Sequence, residues 1–499
     1  MWGFAADFIR VSMKSAWLVY GSVTVTVSLT DEVLHANLGD QRLNKRLGKI
    51  IEQLGERPER SIPAATVSRA SMEAAYRFFS NDSVTPSKIL QPHFDATCER
   101  ISQCHCVLLV QDTTELDLTR PSQQVLGAGP MDSNARRGAF AHLMIAFSST
   151  GLPLGTVWHK IWARERIETS LSDAERVSNR QNTPIEQKES IRWIEGLRHA
   201  RDVAAACPNT QCICVSDSES DIYEMFAEPR SNGDDESLPK VHLLIRACQN
   251  RSTTRGNWLD DVRATPCLLK STLHVSARTA KIKATKHKRE QSRDARSAQV
   301  EIRAAAVTLR PPYRADRDLP PVSVNLVLVE ETNAPEGCEP IRWILATTLP
   351  IDNEEEVQMI IESYCQRWQI EIFFKTLKSG CNIEKRLFEQ LPHVLNCLAV
   401  CLIIAWRVMY LCRIGGECPD LCCEVVFCPS EWKSVYSAIH YRKPLPKKPP
   451  RLQDMIDMVA SLGGYIKRGD SRPGTKTLWI GMEAVHFLTL GWESGRSDR

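Results

Sequence analysis

The chain has 499 residues, more than a single hydrophobic core supports, so two or three domains are expected. At 43% hydrophobic and 25% charged, with no long low-complexity tract, it reads as globular, which excludes a disordered or fibrous protein. A net charge of +3 is too even to indicate a polyanionic partner, so any basic face must be offset by acidic regions elsewhere.

Residues 1–30 form a leader of unclear role. AWLVYGSVTVTVSL follows Arg10 and Lys14 as in a signal peptide, but its Thr/Ser/Val alternation is strand-like and no small-residue cleavage site follows; Met13 is an alternative start. Residues 31–95 read as helical. In LGDQRLNKRLGKIIEQL, Asp40 is the expected cap, and Leu43, Leu47, Ile50, Ile51 and Leu54 recur at a helical period. Arg42, Lys45, Arg46 and Lys49 fall on the other face, and ASMEAAYRFFSN forms a second helix carrying Arg77. A basic helix face is either merely solvated or turned to a polyanion, and the sequence leaves both open.

Residues 96–248 alternate. Strands are expected at Cys106–Asp112, Ala141–Phe147 and Leu154–Ala163, then a helix in SIRWIEGLRHARDVAAA, then strands at Cys212–Asp217 and His242–Cys248. That order implies an α/β fold with a mixed sheet. Residues 249–340 change to alternating Thr-, Val- and Arg-rich segments, an inserted β region. It includes the loop KIKATKHKREQSR, which has six Lys/Arg against one Glu and is either an exposed hairpin tip or a phosphate-facing element. In residues 341–390, RWILATTL returns as a strand and one long helix, EEEVQMIIESYCQRWQIEIFFKTLKSG, follows, with acids in its first turn. Residues 391–499 read as all-helical. Their apolar run LAVCLIIAWRVMYL is short for a membrane span and suits a buried helix.

The 18 cysteines are scattered, many in apolar runs as Cys401 is, which suits buried thiols in a reducing compartment rather than a disulfide framework. Cys412, Cys418, Cys422, Cys423 and Cys428 are denser, but the absence of a CxxC pair there argues against structural zinc.

Transfer of phosphate esters in DNA recurrently uses two divalent metals, which want hard carboxylate ligands. VLLVQD and CICVSD each end a short apolar strand on an aspartate, Asp112 and Asp217; a strand-end Asp alone is more often a turn former. On the long helix, Tyr364, Arg367, Glu371, Lys375 and Lys378 are spaced by three, four, four and three, so they share one stripe. The stripe is either a solvated salt-bridge ladder or the mouth of a buried site, and the apolar Trp368, Ile372, Phe373, Phe374 and Leu377 around it favour the second.

Tyr364, two residues, Arg367, three residues, Glu371, six residues, Lys378 resembles the Y-(2)-R-(3)-E-(6)-K signature of bacterial insertion-sequence DDE transposases of the Tn5 type. QDTT at 111–114 and SDSESDIYEMF at 216–226 resemble the family's two aspartate motifs, with Asp217 the ligand and Asp221 a following helix residue. The similarity runs from LGDQRLNKRL to LGGYIKRGDSRPGTKTLWIGMEAV, about 90% of the chain. Phe374 stands where the family has a histidine, and neither the leader nor the Cys-rich stretch has a counterpart.

The resemblance implies an RNase H-like mixed-sheet core with the inserted β region, a helical DNA-end-binding domain over 31–95 and a helical dimerisation region over 391–499. It implies catalysis by Asp112, Asp217 and Glu371 holding two Mg²⁺ or Mn²⁺ ions. It assigns DNA contacts to Tyr364, Arg367, Lys375, Lys378, Arg246, Arg42, Arg46 and Arg77, and a flipped base to Trp343, 28 residues before Glu371. The expected activity is cut-and-paste transposition with hairpin formation, by a homodimer on element ends and target DNA in the bacterial cytoplasm, at the nucleoid when acting, with no membrane partner. The alternatives are an inactive DNA-binding derivative, or a nuclease or resolvase of the same fold.

Overall fold

Asp40 caps the first helix as its position before an apolar-periodic run predicts, its carboxylate accepting the Arg42 N–H at 2.8 Å. The computed structural model describes residues 28–497 except 67, 134, 166–171, 173–174, 176–177, 179–181, 232–239, 276, 278–293, 339 and 470. Leader residues 1–27, Met13 among them, and the basic loop KIKATKHKREQSR lie outside the described residues.

In chain order the described elements begin with α1 (Gln41–Glu56), α2 (Arg69–Phe79), α3 (Pro86–Ser102), β1 (Cys106–Asp117), β2 (Gly129–Pro130), β3 (Arg137–Ser148) and β4 (Pro153–Trp162). Next come α4 (Ile191–Ala206), β5 (Gln211–Ser216), α5 (Tyr223–Ala227), β6 (His242–Arg246) and α6 (Trp258–Arg263). Then follow β7 (Leu269–Val275), β8 (Arg296–Leu309), β9 (Val322–Glu331), β10 (Arg342–Thr347), α7 (Glu354–Gln366) and α8 (Gln369–Lys375). The chain ends in α9 (Leu391–Glu417), α10 (Pro429–Ile439), α11 (Leu452–Leu462) and α12 (Thr475–Ser497). Two units result. One draws its described residues from His105–Asp112 and Ser170–Gln369, the other from Gly21–Cys104, Thr113–Thr169 and Ile370–Arg499.

The first unit is built on a sheet in the order β1-β5-β6-β10-β9-β8-β7. β1/β5 and β5/β6 are parallel, and the remaining pairs are antiparallel. The parallel strands are buried through their centres, Val107 to Val110 and Cys212 to Val215, as strands covered on both faces must be. The inserted β region, expected as a separate feature, extends this sheet: β9 pairs with β10 over Arg342–Thr347, and β8 and β7 follow outward. Their alternating burial is the pattern of strands with one wet face.

The second unit surrounds α9. This helix is long and apolar enough to cross a membrane by length and composition, yet 94% of its apolar window is buried in the protein. β2, β3 and β4 form antiparallel pairs here, and Leu118 N–H, just past the end of β1, donates to Arg137 O at 2.9 Å. The turn Leu29–Val33 is fixed by a fully buried polar cluster. Arg100 pairs with Glu32 at 2.8 Å, and Glu32 takes His93 Nδ1–H at 2.5 Å. His93 Nε2 accepts Thr156 N–H at 3.0 Å, and Arg100 lies over the Trp406 ring at 4.4 Å. Burial pushes the His93 imidazole down, so it stays neutral and serves as one donor and one acceptor. All 18 cysteines are free thiols, Cys401 among the buried ones.

Candidate active site

β1 and β5 run parallel in constant register, Cys106 facing Gln211 and Val110 facing Val215. Asp112 and Asp217 each follow the last recorded pair by two residues, Asp217 lying just past the end of β5. Neighbouring strands lie about 5 Å apart, so two carboxylates leave adjacent backbones at one edge of the buried strands. The residues just before them are anchored. Gln111 is buried and donates to Cys214 Sγ at 3.2 Å and to Trp193 O at 3.4 Å. Asp217 caps the turn Ser218–Ser220, accepting Glu219 N–H at 2.9 Å, which fixes its side chain at the strand end.

Arg367, at the C-terminus of α7, donates Nη1–H to Asp112 Oδ2 at 2.9 Å, with the two side chains only 12% and 15% exposed. One turn earlier, burial pushes the Tyr364 phenol up to about 12; Asp217 adds to that, while Arg367 and Arg246 act against it. Tyr364 therefore sits among Asp217, Arg367 and Arg246, the last at the end of β6 opposite Leu345 of β10. Trp343 on β10 meets the Tyr364 ring edge-on at 6.1 Å and is 4% exposed. One unit thus gathers Asp112, Asp217, Arg246, Trp343, Tyr364 and Arg367.

Glu371, Lys375 and Lys378 belong to the other unit, with Glu371 and Lys378 half-exposed and Lys375 exposed. The single long helix expected from the sequence is broken twice. At the end of α7, Arg367 and Trp368 N–H bond back only three residues, to Tyr364 O at 3.0 Å and Cys365 O at 3.4 Å, and the chain resumes as α8. After Lys375 it widens into a π turn, Thr376–Gly380. Such interruptions change the turn angle locally, so one unbroken α-helix does not describe this segment. Gly380 ends the π turn because a Cβ there would lie 2.8 Å from the Trp479 ring.

Two acidic residues were missed as site-builders. Asp221 is not a helix residue but ends the turn after Asp217. Buried, it accepts the Cys248 and Gln249 N–H groups at 2.7 and 2.8 Å and pairs with Arg251, so it clamps the chain leaving β6. Glu384 accepts Asp117 N–H at 3.0 Å and lies 3.6 Å from Lys378 Nζ. No local pattern marks either residue, because each acts on a segment distant in sequence.

The N-terminal arginines lie in the second unit. Arg42 is exposed beside Asp40, Arg46 is half-exposed, and Arg77 is exposed in the last turn of α2. Among the described residues no three or more His, Cys, Asp or Glu side chains form a group that could hold a metal ion. The donor chemistry still fits hard divalent cations: Asp112 and Asp217 are carboxylates that each follow the last register pair of two neighbouring parallel strands by two residues, and one of them already holds a positive group, Arg367.

Three family models match the chain. "Transposase DNA-binding" matches residues 28–84, "Transposase DDE domain" matches 236–406, and "Transposase Tn5 dimerisation domain" matches 403–498. The DDE match spans Arg246, Trp343 and the signature residues, whereas Asp112 and Asp217 precede it. Among solved structures the chain is similar to a piggyBac transposase synaptic complex with hairpin DNA. The identity is 10% and the TM-score 0.35, over 79% of this chain and 74% of that one.

Proposed function

The chain is a DDE insertion-sequence transposase of the Tn5 type with an RNase H-like core, and we propose that it excises its element by cut-and-paste transposition. It acts on DNA, and it carries a dimerisation domain. In this reading Asp112, Asp217 and Glu371 are the catalytic carboxylates and hold two Mg²⁺ or Mn²⁺ ions. Such ions activate the attacking oxygen and stabilise the leaving one. The observation that supports it best is the parallel register of β1 and β5, which runs to Val110 opposite Val215, two residues short of Asp112 and Asp217.

The chain's own residues do the rest of the work. Tyr364, Arg367, Lys375, Lys378 and Arg246 orient the phosphates around the scissile bond, where positioned cations and donors meet developing charge. Arg42, Arg46 and Arg77 bind the element end through its backbone. Trp343 takes up a base displaced when the first 3′-OH turns back on the opposite strand to form a hairpin. Two copies then carry the paired ends to target DNA, in the bacterial cytoplasm at the nucleoid.

The test is to incubate purified protein with duplexes bearing the flanking ends of its element and Mg²⁺. Nicked, hairpin and strand-transfer products should appear in that order. Nicks without hairpins would leave a nuclease of the same fold as the better reading.

A further inference from the structure

Glu384 stands where three chain segments meet. It lies in the turn Ile383–Lys385, and its Oε1 accepts Asp117 N–H at 3.0 Å and lies 3.6 Å from Lys378 Nζ. The main chain of the same turn is held as well. Arg120 Nη1 donates to Glu384 O at 3.0 Å and Nη2 to Arg386 O at 2.8 Å. Lys378 and Glu384 are both 28% exposed. The carboxylate is therefore fixed by its backbone partner, while its hold on the ammonium is long and open to solvent.

We propose that Glu384 is a positioning residue that occupies the signature lysine Lys378 in the DNA-free protein and yields it when a DNA phosphate arrives. The proposal rests on the reading of Lys378 as a phosphate contact. A half-exposed ion pair is weak, and a phosphate that sheds its condensed counterion can displace it. The contact narrows the places the ammonium visits, which reduces somewhat the rotamer entropy it gives up when DNA binds. It is also partly neutralised, which weakens capture of unspecific duplex. The Asp117 N–H bond outlasts the exchange, so the carboxylate stays ready to take Lys378 back.

The experiment measures binding of the full chain to a mixed-sequence DNA duplex at several salt concentrations, for the wild type, Glu384→Gln, Lys378→Ala and the double variant. Glutamine still accepts the Asp117 N–H but carries no charge. Glu384→Gln should bind about two- to five-fold tighter, with a salt slope steeper by up to about one unit. Lys378→Ala should bind more weakly, and adding Glu384→Gln to it should change nothing. The proposal is overturned if Glu384→Gln binds no tighter, if it gains equally without Lys378, or if it only melts lower with an unchanged slope. If Lys378→Ala binds as the wild type does, the phosphate-contact reading itself fails. A weak Lys378→Ala beside an unchanged Glu384→Gln sinks this proposal alone.

Discussion

Arg367 holds Asp112: a guanidinium from the end of α7 and a carboxylate from β1 meet at 2.9 Å, 255 residues apart in sequence. Both side chains are largely withdrawn from water, so neither charge is easily left without the other. The first aspartate of the site is thus already paired with a fixed cation, and that cation belongs to the family signature.

Arg367→Gln should therefore destabilise the protein when divalent metal is absent. The cost expected is about 1–2 kcal/mol, below that of a fully buried pair because some solvent reaches it. Calorimetric melting in EDTA and then in Mn²⁺ checks this. The variant should melt lower in EDTA and gain more from Mn²⁺ than the wild type does. Equal melting in EDTA would mean that the pair carries no stability.

Asp112→Ala, Asp217→Ala and Glu371→Ala should each abolish strand cleavage while leaving end binding nearly intact, because carboxylates bring metal and not affinity for a polyanion. Gel-shift and cleavage assays on the same duplex separate the two. A variant that still cuts removes its residue from the site.

Much of this was legible in the sequence where local chemistry decides. Asp40 before an apolar-periodic run is a helix start, and it caps α1. CVLLVQD and CICVSD are short apolar runs between polar segments, and both lie on neighbouring parallel strands, β5 ending at Ser216 just before Asp217. The failures have one cause. The breaks at Arg367–Trp368 and Thr376–Gly380 sit in a sequence with no proline, so nothing local announces them; tertiary packing, such as Trp479 against Gly380, is what acts there. Asp221 and Glu384 bind backbone N–H groups far away in sequence, and no window of neighbouring residues contains their partners. β1 runs on to Asp117, past the expected Asp112, because its last residues belong to a second set of neighbours.

Glu32 makes stability fall in acid. Burial pushes its carboxyl up, but the hydrogen bonds and charges of His93 and Arg100 outweigh that and bring it down to about 2, against an ordinary 4.5. A depressed carboxyl stabilises the fold above the unfolded value and loses that contribution as pH falls from about 4.5 to about 2. His93, pushed down by burial, adds a loss that begins as pH drops below 6.5, where the unfolded imidazole takes a proton. Glu32→Gln should cost about 3 kcal/mol at neutral pH and flatten the dependence below pH 4.5. Urea titrations across pH measure both, and an unchanged acid limb would show that the cluster is not the origin.

Arg42→Ala, Arg46→Ala and Arg77→Ala together should weaken binding to the element end. The salt slope should fall by roughly one unit for each phosphate that is no longer neutralised. Arg42 contributes least if Asp40 keeps it at the helix start, so its single variant should change the slope less than Arg77→Ala does. A triple variant with the wild-type slope returns all three to an ordinary solvated face.

Trp343 poses the sharpest case, because the indole is buried against Tyr364 rather than presented as an open platform. To take up a displaced base, it must leave that ring or the base must enter beside it. Truncating a buried tryptophan costs about 3–5 kcal/mol, so Trp343→Ala should lower the amount of active protein whatever its role. Total activity therefore cannot decide the question, but the ratio of hairpin to nick can. Loss of folded enzyme scales both products alike and leaves the ratio unchanged. Loss of a stacking partner worth about 1–3 kcal/mol strikes only the step that needs an unstacked base. Trp343→Ala should cut the hairpin-to-nick ratio by roughly five-fold or more, and Trp343→Phe, which keeps a ring in the same place, should recover most of it. A ratio that stays at the wild-type value in Trp343→Ala, at any yield, would falsify the flipped-base role and leave Trp343 as the residue that seats Tyr364 beside Asp217.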